Sequence, residues 1–306
     1  MADKIKVALV GIGKIAIDQH VPSIATSDDW ELAGTVSRSG TVDGVPAYTD
    51  IETMLAERPE IGVVSLCLPP VPRFAYAAAC LRAGRHVMLE KPPGATLAEV
   101  YALDAMAQNA GLTLFATWHS RMAKGVQAAK AALAGKTIES GHIDWKENVR
   151  QWHPKQDWVF DPGGMGVLDP GINALSILTE VLPTPVHLKS AVLHTPANRQ
   201  TPIRAEMTFS DGITASFDWL KEGIQTWEQR FVATDGTTVH LFEGGNRCSV
   251  DGIAQTMSEL GEYPALYARM SHLVRTGTSD VDLSPMVHVS DIMTLGRRET
   301  APAFEW

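Results

Sequence analysis

KVALVGIGKIA, residues 6–16, runs from a short apolar stretch into two glycines and a small alanine, and its reading decides the fold. Val7–Val10 is too short for a helix and has no polar interruption, which suits a strand covered on both faces of a parallel sheet. Gly11, Gly13 and Ala16 follow in the pattern G-x-G-x-x-A. The glycines permit a tight turn and a close approach of backbone to a pyrophosphate, and Ala16 lets the next helix settle on the strand. The helix start offers N–H groups and a partial positive charge to the phosphates. Gly11, Gly13, Lys14 and Ile15 are therefore the expected cofactor-binding turn.

Working outward, apolar runs recur at 31–36, 62–68, 86–90 and 112–117, separated by helix-like segments. RFAYAAACLRAG ends in Gly84 as a helix stop, and Thr96 with Glu99 three positions on forms a capping box before a helix that stops at Gly111. This alternation predicts a Rossmann-type α/β domain with a doubly wound parallel sheet over 1–118. The pattern then changes. GHIDWKENVR, HLKSAVLHTPA, IRAEMTFS, ITASFDWL, TWEQRFVAT and TTVHLFE follow one another, with Asp211-Gly212 and Asp235-Gly236 as hairpin turns. The expectation for 119–306 is an α+β domain with a large, mainly antiparallel open sheet, a helix from near Asp169, and two closing helices that pack back on the first domain.

The 306 residues are 45% hydrophobic with a net charge of −9, enough chain for two cores and a poor surface for nucleic acid or an acidic membrane. A small-molecule partner and the cytosol are expected, because the chain shows no basic apolar leader and no run long enough to span a bilayer. Cys67, Cys80 and Cys248 are too far apart in sequence for a Cys-x-x-Cys site and read as small core residues. No histidine spacing suggests a metal.

Ligands of a doubly wound sheet bind beyond the C-terminal ends of its strands. The second strand ends in Val36-Ser37-Arg38-Ser39, without the carboxylate that would hold an adenosine ribose. Arg38 can pair with a 2′-phosphate and Ser37 can donate to it, so NADP is expected; NAD stays open, since Arg38 also suits stacking on adenine or simple solvation. Pro69 and Pro70 shape the loop after the third run. HVMLEKPPG, 86–94, ends a strand in Glu90-Lys91 and two prolines that restrict the backbone, so Glu90 and Lys91 are placed at the cofactor cleft.

GIGKIA, the strand ending LEKP and the later GGMGVLDPGIN together resemble the glucose-fructose oxidoreductase and inositol dehydrogenase family, Gfo/Idh/MocA, over essentially the whole chain. Within it, VGIGKIAIDQH, HVMLEKPPGATL, LFATWHSR, WHP and DPGINALSI are similar to the aldose 1-dehydrogenase branch acting on L-arabinose and D-galactose. The resemblance implies hydride transfer to a nicotinamide cofactor, and homo-oligomers through the open sheet. It also implies a sugar pocket of His119, Glu147, Trp152, His153 and Trp227. The chain departs from the wider family where a histidine often stands four residues beyond the motif aspartate, because Asn173 occupies that place.

Oxidising an aldose at C1 requires a base for the hydroxyl proton. Lys91 and Asp169 are the candidates, and the expected division gives the proton to Asp169 while Lys91 positions the hydroxyl and stabilises charge on its oxygen. Asn173, one helical turn from Asp169, shares its face and joins the catalytic group. Two alternatives remain open: a dehydrogenase of the same fold for another polyol or a dihydrodiol, and a sugar-responsive regulator without turnover.

Overall fold

A computed structural model describes residues 3–306. Ile5–Val10 (β1) leads into the glycine turn with its last four residues covered on both faces. Trp30–Val36 (β2), Ala47–Tyr48 (β3), Val63–Leu66 (β4), His86–Leu89 (β5) and Leu114–Ala116 (β6) complete a sheet in the order β3-β2-β1-β4-β5-β6. Every pairing in it is parallel. The strand order reverses between β1 and β4, the crevice where such sheets receive ligands. β3 has no counterpart in the apolar runs of the sequence: it is two residues long and exists by pairing with Thr35 and Val36.

The helix punctuation folds as the sequence implies. Thr96 and Glu99 form the capping box of Leu97–Ala110, and Gly111 takes the left-handed conformation that ends it. The helix after β1 is less regular: Ala16–His20 is π-helical before Val21–Ala25 continues. Pro22 explains the wide turn, since in a regular α-helix its ring would press on the carbonyl of Asp18 and its missing N–H would break the ladder.

The second sheet comprises Ile138–Lys146 (β7), Leu188–Pro196 (β8), Arg204–Phe209 (β9), Ile213–Asp218 (β10), Thr226–Ala233 (β11), Thr238–Phe242 (β12), Arg247–Val250 (β13), Ile253–Ala254 (β14) and Arg297–Ala301 (β15). Its order is β14-β13-β12-β11-β7-β10-β9-β8-β15. Only β10 with β7 and β15 with β8 run parallel. The Asp211-Gly212 turn has φ of 55° and 64°, the paired positive values of a tight hairpin between β9 and β10.

The helix Leu168–Val181 lies on this sheet, and its approach depends on one residue. A Cβ added at Gly171 would stand 2.4 Å from two ring carbons of Phe217 on β10. No larger residue allows that contact, which seats Asp169 in the helix's first turn at 3% exposure.

By contacts the chain forms two compact units. One runs to His119 and takes in Tyr263–Leu283; the other comprises Ser120–Glu262 and Ser284–Trp306. The boundary thus falls one residue beyond the change of sequence pattern, and most of the helix Glu262–Thr276 groups with the first unit while Ser284–Leu295 groups with the second. No helix among the described residues is long and apolar enough to cross a membrane. Cys80 and Cys248 are buried, which raises their thiols to about 12 and about 11. Cys67 departs from the expected core role and is half-buried, because β4 has already ended at Leu66 and the chain is turning outward.

Candidate active site

In the first unit the ends of β1, β2, β4 and β5 converge. Gly11, at φ +88°, is required by the fold itself: its Cβ would meet Leu68 N at 3.0 Å. Gly13 is different, since a Cβ there would meet nothing within 4 Å. The protein has no internal use for a glycine at that position, and a pyrophosphate laid along the turn does. The residues present therefore fit a dinucleotide. Lys14 is exposed and paired with Asp18, and Ile15 is exposed beside it. Ser37 and Arg38 follow β2 in a turn held by Gly40 N–H donating to Ser37 Oγ at 3.1 Å. That turn lies against Ile12, because a Cβ on Gly40 would fall 2.3 Å from Ile12 O. The Ser37 hydroxyl accepts in this bond and keeps its proton to donate, and Arg38 is exposed. Pro69 is exposed at the start of the helix Pro70–Arg82.

Lys91 is half-buried, and the chain around it is braced from two sides. Its peptide bond to Pro92 is cis. From the helix Pro70–Arg82, the Arg73 guanidinium, at 2% exposure, donates to the carbonyls of Glu90, Pro92 and Leu68. Glu90, at 5% exposure, takes the Lys91 N–H on Oε2 at 2.8 Å and faces His20 Nε2 with Oε1 at 3.1 Å. His20 Nδ1 in turn meets the Tyr267 hydroxyl at 2.8 Å, and Tyr267 O accepts from Trp30 Nε1 at 3.0 Å. His119 stacks on Tyr263 with ring centroids 5.5 Å apart. Arg73, His20 and Tyr267 carried no local signal, because their partners lie as much as 247 positions away.

The His20–Glu90 pair sets a pH dependence of stability. Burial alone would lower the His20 pKa, but Cys67, Tyr267 and Glu90 together raise it well above the usual value. Burial would likewise raise Glu90, and the His20 hydrogen bond and charge hold it far below the carboxylate range. The His20 contribution is complete below the unfolded value of about 6.5 and is lost as pH rises through the raised folded value; that of Glu90 is present above about 4.3 and lost as pH falls. Urea unfolding of wild type and His20→Gln should thus differ most between about pH 4.5 and 6.5, the gap narrowing toward alkaline pH. A gap constant from pH 5 to 9 would show that the ring holds no extra proton.

In the second unit, His153 Nε2 lies 3.4 Å from Asp169 Oδ2, with the histidine side chain 22% exposed and the aspartate 5%. Asn173 is half-buried one turn along the helix. The His153 ring packs edge-on against Trp219 at 5.5 Å and Trp158 at 6.1 Å. Glu147, expected to touch sugar, is 5% exposed and receives two indole N–H groups, from Trp219 at 3.1 Å and Trp227 at 2.9 Å. Trp227 stacks on Trp145 at 5.8 Å and meets Trp152, tilted, at 5.5 Å. The result is a carboxylate–imidazole pair joined through Trp219 and Glu147 to an indole wall. Trp145, Trp158 and Trp219 escaped the sequence reading because a tryptophan in a β-rich domain is indistinguishable from core.

Residues 5–117 match the family described as "Oxidoreductase family, NAD-binding Rossmann fold", GFO_IDH_MocA. The galactose 1-dehydrogenase of Pseudomonas fluorescens is 40% identical over 304 residues, covering 98% of both chains. The chain belongs to the Gfo/Idh/MocA family. Among solved structures, the D-galactose-1-dehydrogenase protein from Rhizobium etli superposes with a TM-score of 0.94 at 50% identity, covering 100% of this chain and 99% of that one. A 3-ketoreductase from Actinomadura kijaniata, solved with NADP and TDP-benzene, gives a TM-score of 0.79 at 19% identity over 98% of this chain and 100% of its own, a likeness of fold. Gly11–Ala16 and Glu90–Pro92 both lie within the matched residues.

Proposed function

We propose that the chain is an aldose 1-dehydrogenase that oxidises D-galactose and L-arabinose at C1 to the aldonolactone, with NADP preferred over NAD. The observation that carries this reading is the Asp169–His153 pair joined to the indole wall, in a chain with likeness along its whole length to galactose 1-dehydrogenases. A pyranose offers hydroxyls to the first and an apolar C–H face to the second.

The bound dinucleotide supplies the acceptor for the C1 hydride. Asp169 accepts the C1 hydroxyl proton, which calls for an oxygen–oxygen approach of about 2.6–3.2 Å in the productive complex. Lys91 positions that hydroxyl and stabilises negative charge developing on its oxygen. Asn173, His119, Glu147, His153, Trp152 and Trp227 hold the ring, and Glu147 also fixes the Trp219 and Trp227 indoles. L-Arabinose and D-galactose share configuration from C2 to C4, so a pocket reading those hydroxyls with space at C5 accepts both; a sugar with an inverted hydroxyl leaves a buried polar group unpaired.

Reduced-nicotinamide formation with L-arabinose, D-galactose, D-glucose and D-xylose, each with NADP and NAD, tests the reading. Fast turnover of the first two sugars and weak turnover of the others is expected. Arg38→Ala should lower kcat/KM for NADP about 10- to 100-fold, the worth of a charge-assisted phosphate contact, and leave NAD nearly unchanged. Cofactor binding without turnover of any sugar would shift the assignment to another polyol, a dihydrodiol or a regulatory role.

A further inference from the structure

Residues 304–306 follow the edge strand β15 and lie against the segment that carries Trp152 and His153. Their backbone is fixed by Asn198, in the turn after β8: Phe304 N–H donates to Asn198 Oδ1 at 2.9 Å, and Asn198 Nδ2 donates to Phe304 O at 3.0 Å. A main-chain N–H only donates, which fixes the orientation of the amide. Phe304 is 3% exposed, and its ring meets Phe160 at 5.1 Å and Trp306 at 5.2 Å between centroids.

Segment 149–160 is held at both ends by this stretch. At its start, the Arg150 guanidinium donates to Glu305 O and stands 4.5 Å from the centre of the Phe304 ring, a cation over an aromatic face. At its end, Trp306 Nε1 donates to Asp157 Oδ1 at 2.9 Å, an oxygen that also takes Arg199 at 2.7 Å, and the Trp306 ring reaches Phe160 at 5.9 Å. Phe160 carries the contact inward to Trp219 at 5.7 Å, the indole that packs on His153 and donates to Glu147. Trp152 and His153 stand between the two anchors. Their own backbone bonds are local, from Trp152 N–H to Asn148 O at 3.2 Å and from His153 N–H to Val149 O at 2.8 Å. A single helical turn, Val149–Trp152, does not persist in water by itself, so its position needs support from elsewhere in the unit.

We propose that residues 304–306 are a strap that holds Trp152 and His153 in place for the sugar, with Phe304 and Trp306 as positioning residues. This rests on the reading of Trp152 and His153 as sugar ligands. Side chains ordered before binding spare the complex the entropy of ordering them. The strap therefore acts on sugar affinity, and the dinucleotide turn does not depend on it. All of its contacts fall within the second unit.

Trp306→Ala should raise KM for D-galactose about 10-fold, the worth of ordering one or two side chains on binding, with kcat within about threefold and NADP affinity within about twofold. Arg150→Met should act in the same direction. Arg150→Lys should recover most of that loss, since an ammonium also sets a cation over the Phe304 ring and donates to one carbonyl. Hydrogen exchange read by mass spectrometry follows the segment without substrate: amides of 149–160 should exchange several-fold faster in Trp306→Ala while those of Leu168–Val181 keep the wild-type rate. Unchanged exchange over 149–160 overturns the strap. So does faster exchange with an unchanged KM, which is the behaviour of plain packing. A wild type that turns over no aldose sinks the dehydrogenase reading, and D-galactose binding by calorimetry then decides the strap: it stands if Trp306→Ala weakens binding about 10-fold and falls if the affinities are equal or no sugar binds.

Discussion

Asp169→Asn is expected to lower kcat for D-galactose by about two to four orders of magnitude, the usual contribution of a positioned general base. The change preserves size and shape at a site where the side chain is 5% exposed, and Gly171 still seats the helix on Phe217. What it removes is the capacity to accept a proton. NADP affinity, measured by titration, should stay within twofold, because every residue of the glycine turn and of the Ser37–Arg38 loop is unaltered. Lys91→Met supplies the control. It is expected to depress kcat as well, by removing charge stabilisation from the same oxygen. Near-full turnover by Asp169→Asn together with an inactive Lys91→Met would transfer the role of base to Lys91.

The second large effect lies away from the reacting atoms. Arg73→Met is expected to cost about 3 kcal/mol or more of unfolding free energy, since three carbonyls at about 1–3 kcal/mol each lose their donor in a buried setting. Methionine nearly fills the space of the arginine stem, so the loss reports hydrogen bonding more than volume. Lysine is not a substitute: one ammonium on a flexible stem does not span Leu68, Glu90 and Pro92 as the planar guanidinium does. Urea unfolding with an unchanged m-value would register the effect as stability. Surviving folded Arg73→Met should also turn over slowly, because the carbonyls on both sides of Lys91 are then free to move. A loss below about 0.5 kcal/mol would mean that these contacts are formed equally well by water.

Much of this molecule was legible before any coordinates. The parallel sheet, the capping box at Thr96 and Glu99 and the Asp211-Gly212 hairpin are local: each depends on a few consecutive residues whose conformational preferences agree with the fold. The glycine turn belongs with them. Strand β3 was not legible, because two residues carry no periodicity and pair only where β2 presents an open edge. The candidate site divides in the same way. Lys91 and Asp169 stand out by position at a strand end and a helix start, but the company they keep does not. The two indole N–H groups on Glu147 are not written beside it in the sequence, and neither is the His153 ring that stands against Asp169. These are partnerships across 16 to 80 positions of chain, and side-chain geometry alone reveals them.

The discontinuity of the first unit has a consequence for how the protein is made. Residues up to His119 contain the whole parallel sheet, the glycine turn and the Ser37–Arg38 loop, yet His20 and Trp30 find Tyr267 only 247 and 237 positions later. On a ribosome that polymerises about 5–20 residues per second, the buried histidine waits roughly 12 to 50 seconds for its phenol. The first unit is therefore finished late, after every strand of the second sheet but the last has been synthesised. A gene fragment ending at His119 would encode the glycine turn and the Glu90–Pro92 loop and still lack the helix that closes the unit.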